Sequence, residues 1–206
     1  MGHRRTLSLG AAACTLAMVW FATTQIVTGA HADERPEPTV VNGLDVGVLR
    51  GLEGALKANP PLGFVTFFSD TKWQDGMRSF TSFTGYRIHG RVQHEQERHF
   101  VLLGDEGSEF SGTDAAPGAI EELMHAIGAS ITALANMNAA FMGVRLTQFE
   151  VALECEIKMH GMFALNPDVR PGIIDARATI TIAGDADEDT LRRIAMAGYD
   201  FSPVSD

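Results

Sequence analysis

Residues 119–142 read AIEELMHAIGASITALANMNAAFM, and this stretch decides the fold. Leu123, Met124, Ile127, Ile131, Leu134, Met137, Ala140 and Phe141 recur at helical spacing and cover almost the whole circumference. A helix that is apolar nearly all round belongs in the middle of a protein. Ala116-Pro117-Gly118 opens it, Glu121 and Glu122 complement the positive end of its dipole, and Gly143 stops it. Downstream, Leu146 to His160 alternates strictly. Phe149, Val151, Leu153, Cys155, Ile157 and Met159 fall on one face, and Glu150, Glu154, Glu156 and Lys158 on the other, which predicts a long strand. The loop Asn166 to Gly172 leads to a second alternating strand, Ile174 to Ile182, and Asp185 to Asp189 cap a short helix through Ala197.

Upstream, Val48, Leu49, Leu52 and Leu56 predict a helix over 42–57, stopped by Asn59-Pro60-Pro61. Strands are expected over 64–68, 79–88 and 91–103, with a turn at Trp73-Gln74-Asp75-Gly76. The class is α+β, with one long helix packed on antiparallel sheets, and nothing divides residues 42–206 into two domains. Met124, Met137, Met142, Met159 and Met162 are read as core filler.

The N-terminus speaks for export. His3-Arg4-Arg5 is basic, Leu7 to Val27 is largely apolar, and Ala30-His31-Ala32 fits a small-x-small cleavage site. Residues 1–32 are therefore read as a signal peptide, with Arg4-Arg5 compatible with twin-arginine export, and residues 33–41 as a flexible acidic, Pro-rich segment. The expected location is periplasmic or secreted, with membrane contact only in transit. The formal net charge is −10, and loss of the leader would make it two units more negative. So acidic a chain offers no footprint for nucleic acid. Its only other thiol besides Cys14 is Cys155, which a processed chain could not pair internally. His89, His94 and His99 share no metal-ligand spacing, no nucleotide or phosphate fingerprint appears, and neither metal nor cofactor is expected.

Thr71-Lys72-Trp73 followed by Gly76-Met77-Arg78-Ser79, then Ala115-Ala116-Pro117 with Glu121, Leu123 and Gly128, then Asn166-Pro167-Asp168-Val169-Arg170-Pro171-Gly172, and finally Ser202-Pro203-Val204 follow one another in an order and spacing that resemble the OsmC/Ohr family, the osmotically inducible and organic hydroperoxide resistance proteins. The resemblance runs from about residue 42 to the end. It implies an intertwined homodimer around two long central helices, with sites at the dimer interface. It also implies peroxiredoxin-like reduction of organic hydroperoxides in oxidative stress, by a helix cysteine activated by an arginine and a glutamate and resolved by a second cysteine.

Here Arg78 falls near the arginine position and Glu121 near the glutamate position, but Ser130 stands on the peroxidatic cysteine and Ser202 on the resolving one. The family usually continues into one more strand than Asp206 allows, so the chain is read as possibly truncated there. Peroxide reduction of this type passes through a sulfenic acid and a disulfide, and an alcohol has no such ladder. Three readings stay open. The interface pocket binds a small hydrophobic ligand without redox turnover. Ser130 serves a hydrolase-like enzyme, with His125 as a tempting base that would have to come from the partner subunit. Or peroxide reduction passes to Cys155, although a cysteine on an apolar strand face is commonly an inert small hydrophobe.

Overall fold

A computed structural model describes the backbone of residues 5–9 and the whole of residues 40–93 and 98–205. The elements run β1 (Arg5–Leu9), β2 (Val40–Val41), β3 (Leu44–Asp45), α1 (Val46–Ala58), β4 (Val65–Phe67), β5 (Asp70–Asp75), β6 (Arg78–Phe83), β7 (Tyr86–Ile88), β8 (Arg91–Gln93), β9 (Phe100–Gly104), α2 (Ala119–Phe141), β10 (Leu146–Ile157), α3 (Met159–Met162), β11 (Ile173–Gly184) and α4 (Glu188–Asp200). The class is α+β, with antiparallel sheets and helices, as the alternation of periodicities required.

Three small sheets lie in the first half: β2-β3, β4-β7-β8 and β5-β6-β9. In the second half β10 and β11 form a long ladder from Leu146↔Gly184 to Ile157↔Ile173, with register shifts at both ends. The other edge of β11 is occupied by β1, paired from Arg5↔Ile182 to Leu9↔Ala178. The rest of the expected leader, most of the segment 33–41, and His94 lie outside the described residues. Val40 and Val41, assigned from sequence to that flexible segment, instead form β2, and Val41 is buried against Val46 and Ala140.

The core sits where α2 and α4 pack against the β10–β11 ladder. Ile131, Ala135, Ala139, Val144, Ile180, Ile182, Leu191, Ile194 and Ala195 are buried in one cluster. Small residues let the two helices approach closely. A Cβ on Gly198 of α4 would lie 2.7 Å from the Ile131 carbonyl oxygen and 2.8 Å from the Ala135 Cβ. Gly143 ends α2 at φ 69°, a left-handed conformation that favours glycine at a helix C-terminus.

Several boundaries differ from the sequence reading. The strand expected over 79–88 is two strands in different sheets, β6 and β7, separated by Thr84-Gly85, and the stretch expected as one strand over 91–103 holds β8 and β9, again in different sheets. Trp73, expected in a turn, lies inside β5, and the turn falls at Asp75-Gly76-Met77 with Gly76 at φ 55°. α4 reaches Asp200, three residues beyond Ala197. α2 has the expected length, yet within the described chain it is buried along one side only: Ile120, Leu123 and Met142 are exposed, as are Met159 and Met162, so these three methionines do not fill the core of this chain.

Candidate functional site

Two features converge on α2, one at its first turn and one at its middle. The first turn is set by the loop between β9 and α2. Asp105 is 3% exposed, and its Oδ2 accepts hydrogen bonds from Thr113 Oγ1 (2.5 Å), Thr113 N (3.1 Å) and Ala115 N (3.2 Å). The Thr113 hydroxyl above all, helped by backbone N–H groups and opposed by burial, pulls the Asp105 carboxyl down to about 2. The Asp105 N–H donates to the Pro117 carbonyl (3.3 Å), which closes the loop onto the helix start. There Glu121 Oε2 accepts from the Gly118 N–H at 2.8 Å and satisfies one of the helix's orphan donors.

This loop floors a cleft of about 510 Å³ between the β5–β6 hairpin, the first turn of α2 and the end of β10, lined by Met77, Phe110, Ile120, Ile157 and Met162 together with Glu106, Asp114 and Glu121. Of the candidate site residues Ser130, Arg78, Glu121 and His125, Glu121 alone borders it. Arg78, next to Met77, is exposed and points its guanidinium at Asp75 (Nη2 to Oδ2 3.4 Å), so the described chain forms no Arg78–Glu121 pair. Phe110, Glu106 and Asp114 were not singled out from sequence. The available clue was the concentration of acids in the short irregular stretch before α2.

In the middle of α2 lies the serine pair. Ser202 is 2% exposed in the turn after α4 and donates its hydroxyl to Ser130 Oγ at 2.9 Å. Ser202 Oγ in turn accepts from Val204 N (3.3 Å) and Ser205 N (3.2 Å). A hydroxyl offers one proton and two lone pairs, so Ser202 is fully used. Ser130, half-buried, accepts this hydrogen bond. The fold thus brings together the two positions, 72 residues apart, where the resemblance put a pair of redox cysteines.

The remaining candidates lie elsewhere. Glu121 is nine residues before Ser130, about 13.5 Å along the axis and on the opposite side of the helix. His125 is exposed and roughly 140° around α2 from Ser130. Cys155 is a half-buried free thiol on the β10 face shared with Leu153, whose Cδ1 lies 3.6 Å from a Cβ built on Gly128 of α2. It is therefore half-covered, not sealed.

The sequence matches no protein-family model and no curated protein. Its backbone does match solved structures. An OsmC-like protein from Mycoplasma pneumoniae superposes with a TM-score of 0.50 at 11% identity, over 68% of this chain and 84% of that one. The fold is OsmC-like. Two further structures are similar over nearly the same extents: a protein from Psychrobacter arcticus described as an osmotic stress induced and detoxification response protein (12% identity, TM-score 0.47, 66% of this chain and 84% of that one), and an OsmC-like hydroperoxide resistance protein from Jannaschia (14% identity, TM-score 0.33, 68% and 84%). At 11% identity, the architecture is what the Mycoplasma pneumoniae protein shares with this chain.

Proposed function

We propose that this chain is an exported OsmC/Ohr-family homodimer that carries a small hydrophobic molecule and has given up thiol peroxidase chemistry. One observation carries the reading: Ser202 Oγ donates to Ser130 Oγ at 2.9 Å. The pair has the proximity a reactive and a resolving cysteine need, but it holds two oxygens that cannot cycle through sulfenic acid and disulfide. A hydrolase based on Ser130 needs a base within hydrogen-bond reach, and the hydrogen-bond partner of Ser130 Oγ is the Ser202 hydroxyl, which is not a base at neutral pH. Export rests on the basic, apolar and small-x-small pattern of residues 1–32. A homodimer is favoured by large apolar side chains left open on the single chain, among them Phe64 (75% exposed), Phe67 (71%) and Trp73 (74%).

The test is cumene hydroperoxide consumption with dithiothreitol as reductant. The expected result is no turnover in the natural chain. The Ser130→Cys/Ser202→Cys double variant, by contrast, should form a bond between the two positions, visible as a loss of two hydrogens in intact mass, and should gain turnover. Consumption by the natural chain that disappears on alkylating Cys155 would sink the proposal.

A further inference from the structure

The 510 Å³ cleft at the start of α2 combines apolar walls with charge of one sign. Met77, Phe110, Ile120, Ile157 and Met162 supply the walls, whereas among the described residues the ionisable side chains lining it are Glu106, Asp114 and Glu121, with no lysine, arginine or histidine. The loop backbone sets where these residues stand, and the Glu121 carboxylate is itself held by a hydrogen bond. A Cβ on Gly118 would lie 2.9 Å from Glu106 Oε2, so Glu106 reaches the helix start from one side while Glu121 Oε2 bonds the Gly118 N–H. Asp114 is held at φ 54° with its N–H donating to the Glu106 carbonyl oxygen at 3.1 Å. The partial positive charge of the helix end offsets only about half of one carboxylate. Charged groups around a cleft with low-dielectric walls focus their field into it.

Building on the hydrophobic-ligand reading above, we propose that the occupant of this cleft is a cationic amphiphile, an apolar chain carrying an ammonium or comparable positive group, selected over fatty acids by Glu106 and Asp114. The apolar part desolvates against Phe110, Ile157 and Met162, and the cation sits among the carboxylates at the loop. An anionic chain of the same length meets the same walls but three like charges, so discrimination comes from repulsion as much as attraction.

Calorimetric titration of the full chain with dodecyltrimethylammonium, dodecanoate and dodecanol, each below its micelle concentration, tests this. The ammonium should bind about tenfold more tightly than the carboxylate at low ionic strength, and that ratio should shrink towards unity at about 1 M salt, where charges are screened within about 3 Å. Glu106→Gln/Asp114→Asn should remove the preference while leaving dodecanol binding unchanged. Ile120→Trp, at a partly exposed wall position, should weaken all three by filling the space. Equal or tighter binding of dodecanoate overturns the charge assignment while leaving a hydrophobic site standing. A preference for the ammonium that survives both substitutions overturns the location. If none of the three binds, the hydrophobic-ligand reading falls with it.

Discussion

Asp105 shows how one side chain builds a site without joining it. Its carboxylate takes three hydrogen bonds from Thr113 and Ala115 and thereby shapes the loop that carries Glu106 and Asp114. Because its folded pKa lies near 2, below the ordinary 3.8, the folded state binds this proton less readily than the unfolded chain. The resulting stabilisation is fully present above 3.8 and is lost as pH falls towards about 2. Denaturation midpoints of the natural chain should therefore drop over that interval, while Asp105→Asn starts lower at neutral pH and shows a shallower fall. Equal profiles for the two proteins would show that the carboxylate carries no such linkage. Gly112 belongs to the same loop for a steric reason: a Cβ there would lie 1.8 Å from the Glu106 carbonyl oxygen. Gly112→Ala should consequently displace Glu106 and weaken dodecyltrimethylammonium binding more than dodecanol binding.

At the scale of the element, the buried side of α2 packs against both α4 and β10. The contact with α4 depends on smallness, since Gly198 faces the Ile131 carbonyl and Ala135 at distances that exclude a methyl group. Gly198→Ala should cost about 1–3 kcal/mol through overpacking, in spite of the better helix propensity of alanine. Ile131→Ala, emptying a fully buried position, should cost about 2–5 kcal/mol. Urea denaturation of both variants checks the pair. A stabilised Gly198→Ala protein would mean that the helices separate freely. The same packing holds the turn bearing Ser202 against Ser130, so a loosened α4 should also slow bond formation in the double-cysteine variant.

For the molecule as a whole, the first half of the chain covers little of its own apolar surface. Phe100, Val101, Leu102 and Leu103 of β9, an edge strand, are all about half exposed or more. An open apolar edge of this kind invites association. A second copy laid over it would bury that edge and could also cover the open side of α2, whose sequence is apolar almost all round. Sedimentation velocity at micromolar concentration should give a dimer, and Leu103→Asp should shift it towards monomer. A monodisperse monomer at every concentration would remove the homodimer from the proposal.

The long helix, the β10–β11 ladder and the α+β class were legible in the residues alone, because hydrophobic period is a local property and these elements are long enough to display it. Through the family resemblance the sequence also put Ser130 and Ser202 at the two redox cysteine positions. It merged β6 with β7 and β8 with β9, because short apolar runs carry no mark of which sheet they will join. The spacing of Arg78 and Glu121 could not show that each would find a nearer partner, in Asp75 and in the Gly118 N–H. That the two serines share a hydrogen bond, and that Glu106, Asp114 and Phe110 border one cleft with Ile157 and Met162, emerges from the folded chain. Such meetings are set by how helices and strands pack, and packing depends on side-chain shape across segments far apart in the chain.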